Sequence, residues 1–134
     1  MMATRTRDCD EVFARERLRK AEEFLSSAED LRALHDDEAE VGDSVVSLYI
    51  LGGIAAADVL CCKALGHHVQ GDDHLQAVGE LSKVRPGGKE LGKDLRALLA
   101  MKTRAGYGGP AVKAADRKKA QRRAESLVEA ARSR

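Results

Sequence analysis

Cysteine and histidine, the usual zinc ligands, are concentrated just after the middle of this 134-residue sequence. Cys62, His67, His68 and His74 follow one another closely. Their spacing gives neither a CxxC pair nor an HxxxH pair on one helix face, the patterns that zinc sites use. We therefore expect no metal and no cofactor, and interpret His67 and His68 as residues of a polar loop.

A second candidate is the glycine-rich segment 106–109, which precedes Pro110 and lies between Arg104 and Lys113. The backbone N–H groups at a helix N-terminus can hold a phosphate. The segment lacks the lysine and the spacing of a P-loop. We favour the alternative, a tight turn over 104–110, with Gly109 as the N-cap and Pro110 as the first residue of the last helix.

A third candidate is a cluster of basic residues in the first half of that helix: Lys113, Arg117, Lys118, Lys119, Arg122 and Arg123. Such a cluster can bind nucleic-acid phosphates. It contains no aromatic residues for stacking on bases, so binding would be directed to the backbone and sensitive to salt. The alternative is a solvated helix face. No nucleophile with a nearby base and no paired carboxylates stand out, so no reaction is assigned and we lean against an enzyme.

The net charge is unevenly distributed along the chain. Residues 1–81 hold 8 Lys+Arg and 17 Asp+Glu, whereas residues 82–134 hold 15 Lys+Arg and 5 Asp+Glu. This asymmetry indicates either a basic surface for an acidic partner or complementary helices within one domain.

The element that must position these residues is an apolar run, Ser44–Leu65, which we predict to be a central helix ending at Gly66. Asp43 is its predicted N-cap. Between Val45 and Cys62 the only charged residue is Asp58. A membrane span needs roughly 20 apolar residues and disfavours a carboxylate at its centre. We therefore expect a buried helix and no membrane.

Small residues in this helix allow another helix to approach closely, either within the core, which we favour, or across a dimer seam. They are Gly52, Gly53, Ala56 and Ala57. Because a buried carboxylate needs a donor, we expect Asp58 to pair with a basic residue of a neighbouring helix or with a tyrosine hydroxyl. Whether that partner lies in the same chain stays open.

Apolar periodicity predicts the other helices. The first is capped by Asp8 or Asp10 and runs to about His35, a short one starts near residues 71–73, another spans about 89–103, and the last spans about 110–131. The predicted fold is all-α, an antiparallel four-helix bundle with one additional short helix. We expect one domain over residues 1–134, with residues 1–7 flexible. The N-terminus lacks an apolar signal segment and the three cysteines form no disulfide pattern, so we expect a reduced, cytoplasmic protein.

Three stretches resemble the HEPN family of small helical bundles: AEEFLSSAEDL at 21–31, the central helix at 44–66, and LRALLAMKTRAGYGG at 95–109 followed by AESLVEAA at 124–131. The resemblance implies a homodimer that binds or acts on RNA, often in a toxin–antitoxin or phage-defence context. Ribonuclease members carry an Arg followed four to six residues later by His. Arg104 lies where that Arg would, but no His follows it.

Our first hypothesis is therefore a non-catalytic HEPN-like dimer that binds RNA or a nucleotide through its basic half. The residues expected to carry binding are Lys102, Arg104, Tyr107, Lys113, Arg117, Lys118 and Arg122. The alternatives are a protein-interaction module that docks a partner such as a nucleotidyltransferase, and an atypical ribonuclease that uses His74 or Tyr107 with Arg104.

Overall fold

The computed structural model describes residues 5–71 and 73–134, and helices dominate these ranges. The elements are β1 (Thr6–Asp8), α1 (Glu11–Ala33), α2 (Gly42–Leu65), β2 (His67–Val69), α3 (His74–Leu81), α4 (Gly88–Leu99), α5 (Lys102–Tyr107) and α6 (Ala114–Ser133), with a 3₁₀ turn (Glu38–Val41) before α2. The prediction of a mostly helical fold is confirmed.

Helix α2 forms the centre of the fold, as its apolar sequence predicts, and it packs against α1, α4, α5 and α6. It ends at Gly66, whose φ of 77° is left-handed and therefore favours glycine. The predicted N-cap role of Asp43 is wrong. This residue lies in the first turn of α2, and its Oδ1 accepts a hydrogen bond from Val112 N at 2.9 Å.

The small residues of α2 allow close packing within the chain. A Cβ atom at Gly53 would lie 2.4 Å from Leu98 Cδ1, whereas one at Gly52 would lie 3.5 Å from Ala21 O on α1. Ala56 and Ala57 are buried as well. The structure therefore places Gly52 against α1, and Gly53 against α4 and α6 of the same chain.

Two helix starts follow the predicted capping. Asp10 Oδ1 accepts from Phe13 N at 3.0 Å and caps α1, and Asp73 Oδ1 accepts from Gln76 N at 3.0 Å and caps α3. Asp72, part of the predicted start signal of α3, lies outside the described residues.

The predicted boundaries around residues 100–114 are wrong. Helix α4 ends at Leu99, part of the predicted turn forms the short helix α5, and α6 begins at Ala114 instead of Pro110. The φ values of Gly108 and Gly109 are 139° and 94°, so the chain leaves helical conformation there. It becomes helical again only after Lys113, the N-cap of α6.

The N-terminal segment forms a small sheet that the helical periodicity did not predict. Strands β1 and β2 pair antiparallel, with Thr6 opposite Val69. Residues 1–4 of the expected flexible N-terminus lie outside the described residues, whereas Thr6 and Arg7 belong to β1.

A disulfide links Cys9, just after β1, to Cys62 near the end of α2. The expectation of reduced cysteines is therefore wrong for this pair. Cys61 remains a buried free thiol. Because 53 residues separate the bonded cysteines, only the tertiary fold brings them together.

By length and composition alone, the helical segment Glu38–Leu65 is the one described segment that is long and apolar enough to cross a membrane. Within the fold, 72% of its most apolar window is buried. A core helix meets the same criteria, so this property does not by itself indicate a membrane.

Candidate functional site

The basic cluster of α6 is divided between two flanks of the helix. Ala120, Ala124 and Leu127 are fully buried, which fixes how α6 lies on the core. Because a helix has 3.6 residues per turn, Lys118 and Arg122 then project outward. Both are exposed to solvent.

One flank of α6 forms a cleft of about 600 Å³ beside α4. Four of its lining residues are cationic, and one is the carboxylate of α4: Lys118, Lys119, Arg122, Arg123 and Asp94. We call Lys118, Lys119, Arg122 and Arg123 the basic face. Among the described residues, Lys118, Lys119 and Arg122 form no ion pair.

Asp94 lies beneath the basic face and is nearly buried, with 8% of the residue exposed. Its Oδ1 accepts from Arg123 Nη1 at 2.7 Å, and its Oδ2 accepts from Ser126 Oγ at 3.0 Å. Both oxygens are thus engaged by α6. The carboxylate holds Arg123 in place and neutralises one of the four cations.

Arg117 lies on the opposite flank of α6, where it lines another cleft together with Lys118. Its Nη1 donates to Val112 O at 3.0 Å, and its Cδ atom lies against Gly42. Lys113 is the exposed N-cap of the helix and makes no side-chain capping bond. The structure therefore places Arg117 apart from Lys119, Arg122 and Arg123, with which the sequence had grouped it, whereas Lys118 lines the clefts on both flanks.

The same flank carries a polar network that the sequence analysis missed. Tyr49 is 1% exposed, and its hydroxyl donates to Glu29 Oε1 at 2.7 Å. Glu29 also pairs with Arg32 and accepts from Gln121 Nε2 at 3.5 Å. Burial, together with the Glu29 carboxylate, raises the pKa of Tyr49 well above its ordinary value.

The predicted binding residues of α5 have separate surroundings. Lys102 Nζ donates to His74 Nε2 at 2.8 Å. Arg104 pairs with Asp116 at 3.4 Å, and Tyr107 is 80% exposed at the end of α5. Asp116 therefore partly neutralises the charge of Arg104. His74 forms its hydrogen bond with Lys102.

Asp58 of α2 pairs with Arg17 of α1, as expected for a basic partner on a neighbouring helix. Arg17 Nε and Nη2 each lie 3.0 Å from the same oxygen, Asp58 Oδ2. Burial raises the pKa of Asp58 above its ordinary value, and Arg17 opposes that shift.

The cysteine and histidines first considered as metal ligands are engaged elsewhere. Cys62 is in the disulfide, and His67 Nε2 donates to Glu80 Oε1 at 2.6 Å. The His68 ring stacks on Phe13, with centroids 4.2 Å apart. Within residues 5–71 and 73–134, no group of three or more His, Cys, Asp or Glu is arranged to hold a metal ion.

Asp94, which lies beneath the basic face, is the residue of this cleft that sequence reasoning missed. Its signal was weak but present, because a lone carboxylate on the inward side of an amphipathic helix needs a partner. Nothing local to α4 indicated that this partner would be Arg123.

Comparison of the chain with protein-family models, with curated proteins and with solved structures finds no match.

Proposed function

We propose that this protein is a non-catalytic, HEPN-like helical protein that binds RNA through the basic face. The observation that carries the proposal is the cleft between α4 and α6, where four cations surround one carboxylate that is already bonded within the protein. Phosphates supply most of the affinity when cations bind a nucleic acid, and they require no stacking aromatics.

The fold supports the proposal in a coarser way. Helices α1, α2, α4 and α6 are the longer elements, and α2 touches each of the other three. We propose that these four helices form the bundle of the HEPN resemblance, with α3 and α5 as short additions. Assembly into a homodimer remains a prediction, to be measured by light scattering with and without RNA.

The test uses fluorescence anisotropy with a labelled single-stranded RNA over a range of salt concentrations. If three or four phosphates are contacted, log K should fall against log salt with a slope of about −2 to −3. The double variant Lys118→Glu/Arg122→Glu should weaken binding at low salt at least tenfold and flatten the slope.

The matched control is Arg15→Glu/Lys63→Glu, which changes the net charge equally on two exposed residues of another cleft. It should bind nearly as the wild type does. Equal loss in both double variants would mean that net charge alone drives binding and would reject the basic face. Absence of RNA binding at low salt would instead favour the protein-docking alternative.

The variant Asp94→Asn should change RNA affinity in the opposite direction. It removes the carboxylate that faces the cations of the cleft while preserving the shape of the side chain. RNA affinity should therefore rise in samples that circular dichroism shows to be folded. Unchanged affinity would place the bound phosphates away from this cleft.

A further inference from the structure

A second cleft, of about 340 Å³, lies on the other side of α4 from the basic face. Its walls come from α1, α2, β2, α3 and α4, and most of its lining is apolar. This volume is within the range of small-ligand sites, which combine apolar walls with a few placed polar groups.

The Asp58 carboxylate is one of the polar groups of this cleft, whose other polar lining residues are Arg17, His68, Gln70, Asp73 and His74. Both close contacts from Arg17 end on Oδ2, which leaves Oδ1 available to accept a hydrogen bond from a ligand. Asp73 also lines the cleft, but it lies at the exposed edge and caps α3.

A second acceptor is available on His68, which lines the same cleft. Its Nδ1 lies 3.1 Å from Val69 O, so Nδ1 carries the proton and donates. In the neutral imidazole Nε2 is then the accepting nitrogen. The stack of this ring on Phe13 adds a flat aromatic wall.

These features define the chemistry of the ligand. Because Arg17 neutralises Asp58, the Asp58 carboxylate offers little attraction for a cationic amine. Two acceptors, a flat aromatic wall and apolar surfaces fit an uncharged planar ring that carries adjacent N–H donors. We propose that this cleft binds a purine base with donors on its Watson–Crick edge, as in guanine, with Asp58 Oδ1 accepting from the ring.

This proposal does not rest on RNA binding by the basic face. Lys118 and Arg122 line a different cleft, and a nucleoside without phosphate tests the second cleft alone.

The experiment is a titration of ¹⁵N-labelled full-length protein with guanosine, inosine and adenosine, followed by amide chemical shifts. Guanosine should shift amides of Val69, Ala77 and Leu99. Inosine, which lacks the exocyclic amine, should bind several-fold more weakly. Adenosine presents an acceptor in place of the ring N–H, so its binding should be at least tenfold weaker than that of guanosine.

Two variants locate the site. Ala77→Leu places a larger side chain in the lining of the cleft, and it should abolish the guanosine shifts. Asp58→Asn keeps the shape but presents an amide, and it should remove the preference for guanosine over adenosine. If Ala77→Leu does not fold, His68→Phe, which keeps the stack on Phe13 and removes Nε2, should weaken guanosine binding.

The proposal is overturned if guanosine causes no shifts at its solubility limit. It is equally overturned if guanosine and adenosine bind alike to the wild type, or if guanosine binding is unchanged in the folded variants.

Discussion

The hydroxyl of Tyr49, on α2, donates a 2.7 Å hydrogen bond to Glu29 of α1, and both lie beside Gln121 of α6. The hydrogen bonds that Tyr49 and Gln121 donate to the Glu29 carboxylate thus join the three helices. Replacing Tyr49 with phenylalanine removes the hydroxyl and its hydrogen bond. The change should lower stability without opening a large cavity, because phenylalanine keeps the ring.

Tyr49→Phe should lower the free energy of unfolding by about 1.5–3 kcal/mol, the usual net contribution of a hydrogen bond to a charged group. Urea denaturation followed by circular dichroism measures the change. Tyr107→Phe is the matched control, since Tyr107 is 80% exposed and its substitution should have little effect. Equal effects of the two variants would mean that the Tyr49–Glu29 bond contributes nothing.

Gly53→Ala should destabilise the fold by about 1–3 kcal/mol, the usual cost of overpacking a core. The added Cβ would lie 2.4 Å from Leu98 Cδ1 and 3.3 Å from Leu127 Cδ1, so these two buried side chains would have to move. Gly79→Ala in α3 is the control, because nothing lies within 4 Å of its Cβ position. That variant should be neutral or stabilised by up to about 1 kcal/mol through helix propensity. Thermal melts of both variants measure the difference in their stability.

Glu80 should make the stability depend on pH in the acid range. A hydrogen bond from Lys83, aided by one from His67, lowers the pKa of this buried carboxyl below its ordinary value of 4.5. Its stabilisation is therefore fully present above pH 4.5 and is lost as the pH falls through the lowered pKa.

Urea denaturation at several pH values tests this dependence. Glu80→Gln should be less stable than the wild type at pH 6, and the difference should shrink towards pH 3. Glu90→Gln removes the exposed partner of Lys93 and should show almost no difference at any pH. If the difference in stability between the wild type and Glu80→Gln is as large at pH 3 as at pH 6, the Glu80 carboxylate is not the source of the pH dependence.

Cys61 should resist alkylation in the native protein. Burial, with a further contribution from the Asp58 carboxylate, raises the pKa of this thiol to about 12, so the reactive thiolate is scarce at pH 8. Iodoacetamide labelling followed by mass spectrometry should modify Cys61 in urea but not in buffer. Rapid labelling in buffer would show that α2 opens to solvent.

Structural features that depend on local sequence patterns could be predicted from the sequence. The apolar run of α2 predicted a central helix, and Gly66, Asp10 and Asp73 marked helix boundaries correctly because capping depends on adjacent residues. The positive φ values of Gly108 and Gly109 were not predictable, because glycine tolerates helical conformations as well.

Features that join distant segments were beyond sequence reasoning. Asp58 was predicted to pair with a basic residue of a neighbouring helix or with a tyrosine hydroxyl, but only the packing of α1 on α2 identifies Arg17. The pairing of Asp94 with Arg123 and the approach of Cys9 to Cys62 are of the same kind. The basic cluster was recognised as a set, whereas its division among the faces of α6 depends on which residues are buried.

Helix α6 is held from two sides, by Arg132 to Glu22 of α1 at 2.9 Å and by Arg123 to Asp94 of α4 at 2.7 Å. It therefore cannot roll about its own axis without breaking one of these pairs. Lys118 and Arg122 are four residues apart, so their Cα atoms are offset by about 6 Å along the helix. The two ion pairs therefore fix where the backbone of Lys118 and Arg122 lies relative to α1 and α4.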